Sequence, residues 1–589
     1  MSKPIKPFSK AQWKQLIEVS RFQRPATAWI KAGQILNIYT GEVCAENIAI
    51  FEDRIAYVGS KEPKMDEQTL MIDASQLTVV PGYIEPHAHP FQLYNPASLS
   101  EFALRRGTTT LVNDSLNFFL RLEQNQLEHL FAMMSEMPVK NFWWARLDPQ
   151  NTDNDLKALF TPERVIRTLK HPAVIQAGEL TAWKALLDGE EDIQELMYAA
   201  RNEGKPIETH NPGASVETLS AVTAAGVTCC HESITADEVL RRLRLGLYAT
   251  LRYSSIRPDL PDLIKGLLEE KNLCWNRMMM TTDGSTPFFF EKGFTDYLVQ
   301  LAIDAGLPPI EAYRMVTLNP AVYYGLDQEL GGIAPGRLAD ILFLEDLYNP
   351  TPVMVMADGK IVVEKGQLIT PLPEVKWEDV GIGKMVSPSW KATPEWFSVR
   401  QTAEKYPVAE MMNAAILMQT NERLPVENGE VIISKDDDYL YAALLDPRGN
   451  WITTGIMKGF GKIDALASSY TLSQDIIVLG KDRNQMAQAV NRVMEIGGGI
   501  CLLEGGKPIF ELSLPLFGGM SLENMDTLIA KTGQFVDLLK ERGHLHEDPI
   551  YSLLFFSATH LPTLRFTRQG VLAVKTGKIL VPVKKLEAV

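Results

Sequence analysis

The spacing of hydrophobic and polar positions changes twice along this chain. Residues 9–20 carry apolar side chains at helical spacing behind a candidate N-cap, Ser9, and predict a short amphipathic helix. From about residue 26 to 80, short runs such as NIAIFEDRIAYVGS are separated by turn residues and predict an antiparallel sheet. Hairpin-like runs return near residues 330–368, in VMVMADGKIVVEKGQL. We therefore predict one composite β-sandwich domain built from both flanks of the intervening region.

The region between these flanks has a different pattern. Fully apolar runs alternate there with helical stretches; the runs include TTTLVND, NFWWARLD, AVIQAGE, KPIETH, GVTCCHE and RMMMTTD. Apolar strands without alternation are typical of parallel strands that are buried on both faces. Over about 250 residues this pattern predicts an α/β fold of the (β/α)₈ barrel type.

These patterns divide the chain into four predicted segments. Residues 1–80 hold the N-terminal helix and the first part of the composite β-domain, and residues 81–335 form the barrel. Residues 336–380 supply the second part of the β-domain, and a stretch rich in Pro and Gly follows as a linker. Residues 395–589 form an additional α+β domain, with strands such as EVIISKDD and helices such as RNQMAQAVNRVMEI.

Composition and charge exclude several classes of function. The chain of 589 residues has 58 Lys and Arg against 73 Asp and Glu, a net charge of −15, which argues against nucleic-acid and anionic-membrane binding. Its N-terminus lacks the apolar core of a signal peptide, and no apolar run approaches the ~18 residues that cross a bilayer. Five scattered cysteines argue against a disulfide framework. We expect a cytoplasmic protein that acts on a small molecule.

Two histidines stand one residue apart in PGYIEPHAHP, where an apolar strand ends. On a strand, His87 and His89 point to the same face, so the two rings can bind one metal ion. The alternative is a pair of ordinary histidines beside a Pro-rich turn. A second pair with this spacing, His544 and His546, follows a helix and has no third ligand nearby, and we predict that it lies in a solvated loop.

Other predicted barrel strands also end in residues that bind metals or carry protons. The active sites of such barrels lie at the C-terminal ends of the strands. Metal-binding or acid–base residues at five strand ends favour a shared site over separate structural roles. The sequence therefore predicts a site for two metal ions, built from His87, His89, Glu179, His210, His231 and Asp283.

Several motifs together resemble the amidohydrolase superfamily and, within it, the bacterial adenine deaminases. They include PGYIEPHAHP, QAGELTAW, GVTCCHESITADEVLRRLRLGLYATLR, TTDGS and GGIAPGRLADILFLEDL, and AQAVNRVMEIGGGICLLEGG resembles the extra C-terminal domain of that family. The resemblance covers the chain from about residue 26 onward. It implies a (β/α)₈ barrel with a split β-domain, and two divalent ions that are iron or manganese, with zinc as an alternative.

The resemblance also implies a role for each metal ligand. His87 and His89 would hold the more buried ion, and His210 and His231 would hold the second. Glu179 would bridge both ions, in place of the carboxylated lysine that many relatives use.

Two carboxylates would act on the substrate. Metal ions lower the pKa of water from about 15.7 towards neutrality. Asp283, which would also touch a metal ion, would pass a proton from that water to the leaving nitrogen. For adenine, attack at C6 yields hypoxanthine and ammonia. Glu232 is a second candidate for contacting or protonating the purine ring; the alternative is a carboxylate at the N-terminus of the following helix.

The chain departs from the family pattern around the expected substrate. PFQLYN stands in place of Ile-Glu-Ser-Ser, and NDSLNFF in place of Asp-Pro-His-Glu. Gly284 replaces a carboxylate, Phe294 replaces a histidine, and TLSQD lacks the two histidines of a C-terminal motif. These exchanges predict a more apolar pocket, in which adenine reacts slowly and a modified or larger purine or a cyclic amide reacts better.

Three alternatives are left open by the sequence. In the first, the chain is an amidohydrolase that acts on another heterocycle or on a cyclic amide. In the second, it is a noncatalytic binding protein on a hydrolase fold. The complete ligand set argues against the second of these. Homo-oligomerisation through the C-terminal domain is the third.

Overall fold

The N-terminal part of the chain forms one helix and five strands. The computed structural model describes residue 5 and residues 9–151, 154–385, 388–401 and 403–586. Helix α1 (Lys10–Ser20) begins at the predicted N-cap, since Ser9 and Gln12 exchange side-chain and backbone hydrogen bonds in a capping box. The strands that follow are β1 (Ala28–Asn37), β2 (Glu42–Cys44), β3 (Asn47–Phe51), β4 (Arg54–Gly59) and β5 (Leu70–Pro81).

Eight parallel strands then form the predicted barrel. Each strand pairs with the next in sequence order, and a parallel bridge between Ala88 and Asp283 joins the first strand to the segment after the last. The (β/α)₈ prediction is confirmed, although β12 is not among the apolar runs named above. The strands are β6 (Tyr83–Ala88), β7 (Thr108–Asp114), β8 (Lys140–Ala145), β9 (Val174–Leu180), β10 (Ile207–Thr209), β11 (Cys229–Cys230), β12 (Tyr248–Arg252) and β13 (Met278–Thr281).

The helices of this region connect the strands, and many begin at a polar cap. Asn95, for example, accepts hydrogen bonds from the amides of Ala97 and Ser98 at the start of the first of them. The helices are α2 (Pro96–Arg105), α3 (Leu116–Phe119), α4 (Gln124–Met134), α5 (Asn154–Lys157), α6 (Pro162–Leu169), α7 (Trp183–Asp188), α8 (Glu191–Asn202), α9 (Val216–Ala224), α10 (Ala236–Arg244), α11 (Leu260–Leu268), α12 (Thr295–Asp304), α13 (Pro309–Met315) and α14 (Leu318–Tyr323), with 3₁₀ turns at Trp275–Arg277 and Pro287–Lys292.

Strands from after the barrel complete the N-terminal sheet. In this nine-stranded sheet β5 pairs with β1 on one side and with β14 on the other, where Val80 lies opposite Leu342. The composite β-domain is therefore confirmed. Its second set of strands is β14 (Ile341–Leu344), β15 (Met354–Ala357), β16 (Lys360–Glu364) and β17 (Gln367–Leu368), followed by 3₁₀ turns at Trp377–Val380 and Pro394–Phe397.

The C-terminal region is a separate α+β unit with its own nine-stranded sheet. Its helices are α15 (Arg483–Glu495), α16 (Met525–Glu541) and α17 (Pro549–Phe555). Its strands are β18 (Tyr406–Met411), β19 (Leu417–Glu422), β20 (Val426–Glu427), β21 (Glu430–Val431), β22 (Tyr439–Leu445), β23 (Trp451–Lys458), β24 (Ala465–Ser468), β25 (Ile476–Gly480), β26 (Gly499–Glu504), β27 (Lys507–Ser513), β28 (Leu564–Thr567), β29 (Gly570–Ala573), β30 (Lys578–Pro582) and β31 (Lys584–Lys585).

This C-terminal unit packs on the mouth of the barrel. The amide of Ser521 donates to the carbonyl of Leu93, and the Asn95 side chain donates to the carbonyl of Ser521, both at 2.7 Å. The loop after β6 is therefore covered by this unit. Among the described residues, no helix is long and apolar enough to cross a membrane. The exact limits of the four segments stay a prediction.

Candidate metal centre

The structure brings all six predicted metal-binding residues to one end of the barrel. Parallel strands place their carboxyl ends at the same edge, so side chains from distant parts of the sequence meet there. His87 lies in β6 and Glu179 in β9, and the other four residues follow β6, β10, β11 and β13 directly or within two positions: His89, His210, His231 and Asp283.

Five of the six residues, all except Asp283, form two compact groups that share Glu179. The Nε2 atoms of His87 and His89 are 3.1 Å apart, and both rings belong to a group with Glu179. Glu179 Oε1 lies 2.8 Å from His210 Nδ1 and 3.4 Å from His231 Nε2. Imidazole nitrogens together with a carboxylate suit a divalent transition-metal ion. These residues could hold two ions, one in each group.

In His87, His89 and His231, the ring nitrogen that faces away from the other candidate ligands is held by a buried carboxylate. Glu208 Oε2 lies 2.7 Å from His87 Nδ1, and its Oε1 lies 3.1 Å from His231 Nδ1. Asp114 Oδ2 lies 2.8 Å from His89 Nδ1. An ionised carboxylate only accepts, so each Nδ1 donates and each Nε2 is left with a lone pair for a metal. Metal-binding histidines commonly donate their second ring nitrogen to a carboxylate in this way, and the residues present therefore fit the ions.

Glu208 also forms a third compact group, with His87 and His231. That group uses the Nδ1 atoms, which are already engaged by Glu208, and not the Nε2 atoms that face the other candidate ligands. Gln176 donates a further hydrogen bond to Glu208 at 3.1 Å. We interpret Glu208 as the residue that orients one histidine of each group of candidate metal ligands: His87 in one and His231 in the other.

Sequence reasoning missed the partners of the predicted ligands, although some signals were present. Glu208 stands two residues before His210, so both point to the same face of the chain at β10. Asp114 and Arg252 are the last residues of β7 and β12, and Arg146 follows β8 directly. Charged residues at strand ends are a signal that points to Asp114, Arg146 and Arg252.

Arg146 contacts two carboxylates of the site, those of Glu179 and Asp114. Its Nη2 lies 2.9 Å from Glu179 Oε2, and its Nε donates to Asp114 Oδ1 at 2.8 Å. Burial by itself raises the pKa of Glu179, but the Arg146 guanidinium and the neighbouring histidines hold it well below its usual range. Glu179 is therefore an anion with one oxygen anchored and the other turned to His210.

Asp283 is fixed in a similar way. Its Oδ2 lies 2.7 Å from Arg252 Nη1, and its Oδ1 lies 3.0 Å from His89 Nε2 and 3.6 Å from His87 Nε2. Burial raises the pKa of this carboxyl, yet Arg252 and His89 hold it well below its usual range. Asp283 has a φ of 54°, a left-handed conformation, and its amide donates to the Thr281 hydroxyl at 2.8 Å. One oxygen of an ionised carboxylate thus faces the candidate metal ligands.

Glu232 belongs to the same charged network. Its Oε1 lies 2.7 Å from Arg252 Nη1 and 3.3 Å from His210 Nδ1, and its Oε2 lies 3.2 Å from Arg257 Nη1. The alternative placement at the start of the next helix is wrong, because α10 is capped by Thr235. Glu232 is buried beside His210 and His231 and not in the first turn of that helix.

Two other expectations need correction. His544 does not lie in a solvated loop: its side chain is buried, and its Nδ1 lies 2.9 Å from the carbonyl oxygen of Phe460. Phe294, expected near the substrate, packs in an aromatic cluster with Phe102 and Phe290. In both cases a contact that is distant in the sequence buries the ring.

Replacing Glu208 tests its orienting role. Glu208→Gln keeps the size of the side chain but leaves one accepting oxygen for two Nδ1–H donors. We expect metal affinity to fall about 10- to 100-fold, measured by competition with a chromogenic chelator. Glu217→Gln, on the exposed first turn of α9, is the matched control. Unchanged affinity in Glu208→Gln would contradict the role.

Comparison with known proteins identifies the family. Residues 78–362 match the model of the amidohydrolase family, and residues 415–578 match that of the adenine deaminase C-terminal domain. A protein of Halalkalibacterium halodurans named "Putative adenine deaminase" is 42% identical over 98% of both chains. The chain belongs to the adenine deaminase family.

More distant relatives agree with this assignment. A Bacillus subtilis protein with the same name is 38% identical over 94% of this chain and 95% of its own. An adenine deaminase of Moorella thermoacetica is 31% identical over 95% and 96% of the two chains. The protein is therefore an amidohydrolase, a hydrolase of non-peptide carbon–nitrogen bonds, from a family that uses divalent metal ions.

Proposed function

We propose that this chain hydrolyses the exocyclic amine of a purine, with adenine and water giving hypoxanthine and ammonia. Membership of the adenine deaminase family supports the reaction. The observation that carries the proposal is the position of Asp283, whose Oδ1 faces His87 and His89 while Arg252 holds Oδ2. A fixed, ionised carboxylate can take a proton from water and deliver it to a leaving amine.

Two divalent ions would be held by the two groups that share Glu179. His87, His89 and Glu179 would hold one, and Glu179, His210 and His231 the other. When bound, these ions supply a water that loses its proton near pH 7. We propose manganese or iron as the metal, with zinc as an alternative, because mixed nitrogen and carboxylate ligands suit all three.

The residues of the chain divide the remaining work. Asp283 would also touch a metal ion, and its Oδ1 takes the proton of the attacking water and delivers it to the leaving nitrogen. Arg252 binds both Asp283 and Glu232, so it keeps the two carboxylates at a fixed distance from each other. Glu232, which lies 3.3 Å from His210 Nδ1, would contact the purine ring. The C-terminal unit covers the loop after β6, which would restrict access of bulk water from that side.

A second candidate function is hydrolysis of another heterocycle or of a cyclic amide. It is favoured by the apolar side chains beside the metal centre: the Phe91 ring lies 5.8 Å from that of His89, and Phe91 and Leu116 line one cleft with Tyr470. Leu116 and Asn117 belong to the NDSLNFF segment, which stands in place of Asp-Pro-His-Glu in the family resemblance. An apolar wall gives fewer partners to the polar edge of adenine, which reduces discrimination in its favour.

A substrate panel tests both candidates. Manganese- and iron-loaded protein is assayed for ammonia release and ring opening on adenine, modified and larger purines, pyrimidines and cyclic amides. We expect slow adenine turnover and a higher kcat/KM for another member of the panel. A kcat/KM for adenine of about 10⁴ M⁻¹s⁻¹ or more, with no better substrate, would contradict this expectation. Turnover of none of these compounds would contradict the proposed function.

A further inference from the structure

Three side chains crowd the point beside Gly284, the residue after Asp283. A Cβ at this position would lie 2.8 Å from Gln92 Nε2, 2.8 Å from the Tyr551 hydroxyl oxygen and 2.9 Å from His89 Cδ2. These three groups therefore converge on one point next to the candidate metal ligands. Gln92 comes from the loop after β6, and Tyr551 comes from α17 of the C-terminal unit.

The side-chain amide of Gln92 is oriented by a hydrogen bond from the C-terminal unit. The Tyr470 hydroxyl donates to Gln92 Oε1, which leaves the NH₂ group turned the other way. Gln92 is 4% exposed, and its Nε2 has no acceptor among the residues that the structure describes. An oriented, unpaired donor beside a reaction centre is ready for a partner on the substrate.

The Tyr551 side of this cluster is also held by the C-terminal unit. The Tyr551 hydroxyl donates to the carbonyl of Gly284. Asp548, which caps α17, accepts a hydrogen bond from the Thr286 hydroxyl at 2.7 Å. The loop that carries Asp283 is thus anchored at two points to residues more than 250 positions away. The position of Asp283 relative to Gln92 is set by both units together.

We propose that Gln92 binds the substrate by donating a hydrogen bond from Nε2 to an acceptor of the heterocycle, a ring nitrogen or a ring carbonyl oxygen. Tyr470 is a positioning residue that acts through Gln92. The C-terminal unit thereby takes part in substrate recognition. This inference rests on the proposed function, since it assigns the class of atom that the same site recognises. The acceptor-rich edge of a purine or a cyclic amide has the matching chemistry.

Three variants test the inference on the full-length, metal-loaded protein. Gln92→Ala removes the donor, and Tyr470→Phe removes the hydroxyl that orients it. Tyr406→Phe is the matched control, because the Tyr406 hydroxyl is also buried in the C-terminal unit and has no partner among the described residues. For each protein we measure metal content, kcat and KM on the best substrate of the panel, and the dissociation constant of hypoxanthine.

We expect Gln92→Ala to lower kcat/KM about tenfold or more, mainly through KM, with metal content unchanged. Tyr470→Phe should have a smaller effect in the same direction, and no additional effect in the Gln92→Ala background. The 1-deaza, 3-deaza and 7-deaza analogues of adenine identify the acceptor: wild-type protein should bind one of them about tenfold more weakly than adenine, and Gln92→Ala should not.

Two results would overturn the inference, and they are distinguishable. If Gln92→Ala binds and turns over every active compound within twofold of wild type, Gln92 is not a substrate contact, while the proposed function stands. If the wild-type protein neither binds nor turns over any compound of the panel, the inference fails together with the proposed function. Equal effects of Tyr406→Phe and Tyr470→Phe would assign Tyr470 to packing alone.

Discussion

His87→Ala is expected to abolish binding of the more buried metal ion and to reduce turnover by about three orders of magnitude or more. The side chain is fully buried, its Nε2 lies 3.1 Å from His89 Nε2, and its Nδ1 is held by Glu208. Removal of the His87 ring leaves one imidazole fewer in the first group of candidate ligands. It also takes away one partner of Glu208, the carboxylate that orients His231. A metal ion contributes several kcal/mol to the transition state, and about 4 kcal/mol corresponds to 10³ in rate.

The measurement is elemental analysis of protein purified without chelator, beside the rate of ammonia release. Wild-type protein should carry about two ions per chain, as its two ligand groups imply. His129→Ala, on the exposed face of α4, is the control. Because His87 also stacks on Trp144, with ring centroids 4.6 Å apart, circular dichroism should confirm folding. His210→Ala, at a more exposed ligand, gives a second test and should lose the second ion.

The metal hypothesis has a clear contrary result. Wild-type protein without bound metal, together with full activity of both histidine variants, would show that the cluster is structural. Loss of activity with both ions retained would assign these rings to the substrate instead.

Asp283→Asn is expected to lower turnover by about two to four orders of magnitude while metal content falls much less. The amide keeps the size and shape of the side chain but cannot accept a proton. In the wild-type protein, Arg252 Nη1 lies 2.7 Å from a carboxylate oxygen of Asp283. In the variant, Arg252 would lie beside a neutral amide. The charge of the site changes, but the four histidines and Glu179 are all retained.

Single-turnover rates and metal content are measured on the same preparation. Asp262→Asn, on a side chain that is 88% exposed in α11, is the matched control. If Asp283→Asn retains near-normal turnover, another group moves the proton, and Glu232→Gln is then the variant to examine. If it loses metal as completely as His87→Ala, Asp283 acts as a ligand and its role in proton transfer is unsupported.

The barrel and the composite β-domain could be predicted because their signals are local. A strand buried on both faces is mostly apolar along its length, and the three methionines of RMMMTTD show this without knowledge of their neighbours. The capping box at Ser9 likewise depends on residues three apart. Strand β12 was not among the predicted runs; only three residues lie between helix α10 and its YATLR segment.

The sequence by itself determined which side chains stand at the ends of the barrel strands, and hence the six candidate ligands and the family resemblance. Strand geometry brings such ends together whatever the details of packing. Only the tertiary structure decided which groups complete the site. Glu208 reaches His87 across 121 positions and Tyr470 reaches Gln92 across 378, and His544 is buried against Phe460. These pairs carry no local pattern, because a hydrogen bond between distant residues depends on how whole units pack and not on the spacing of residues along the chain.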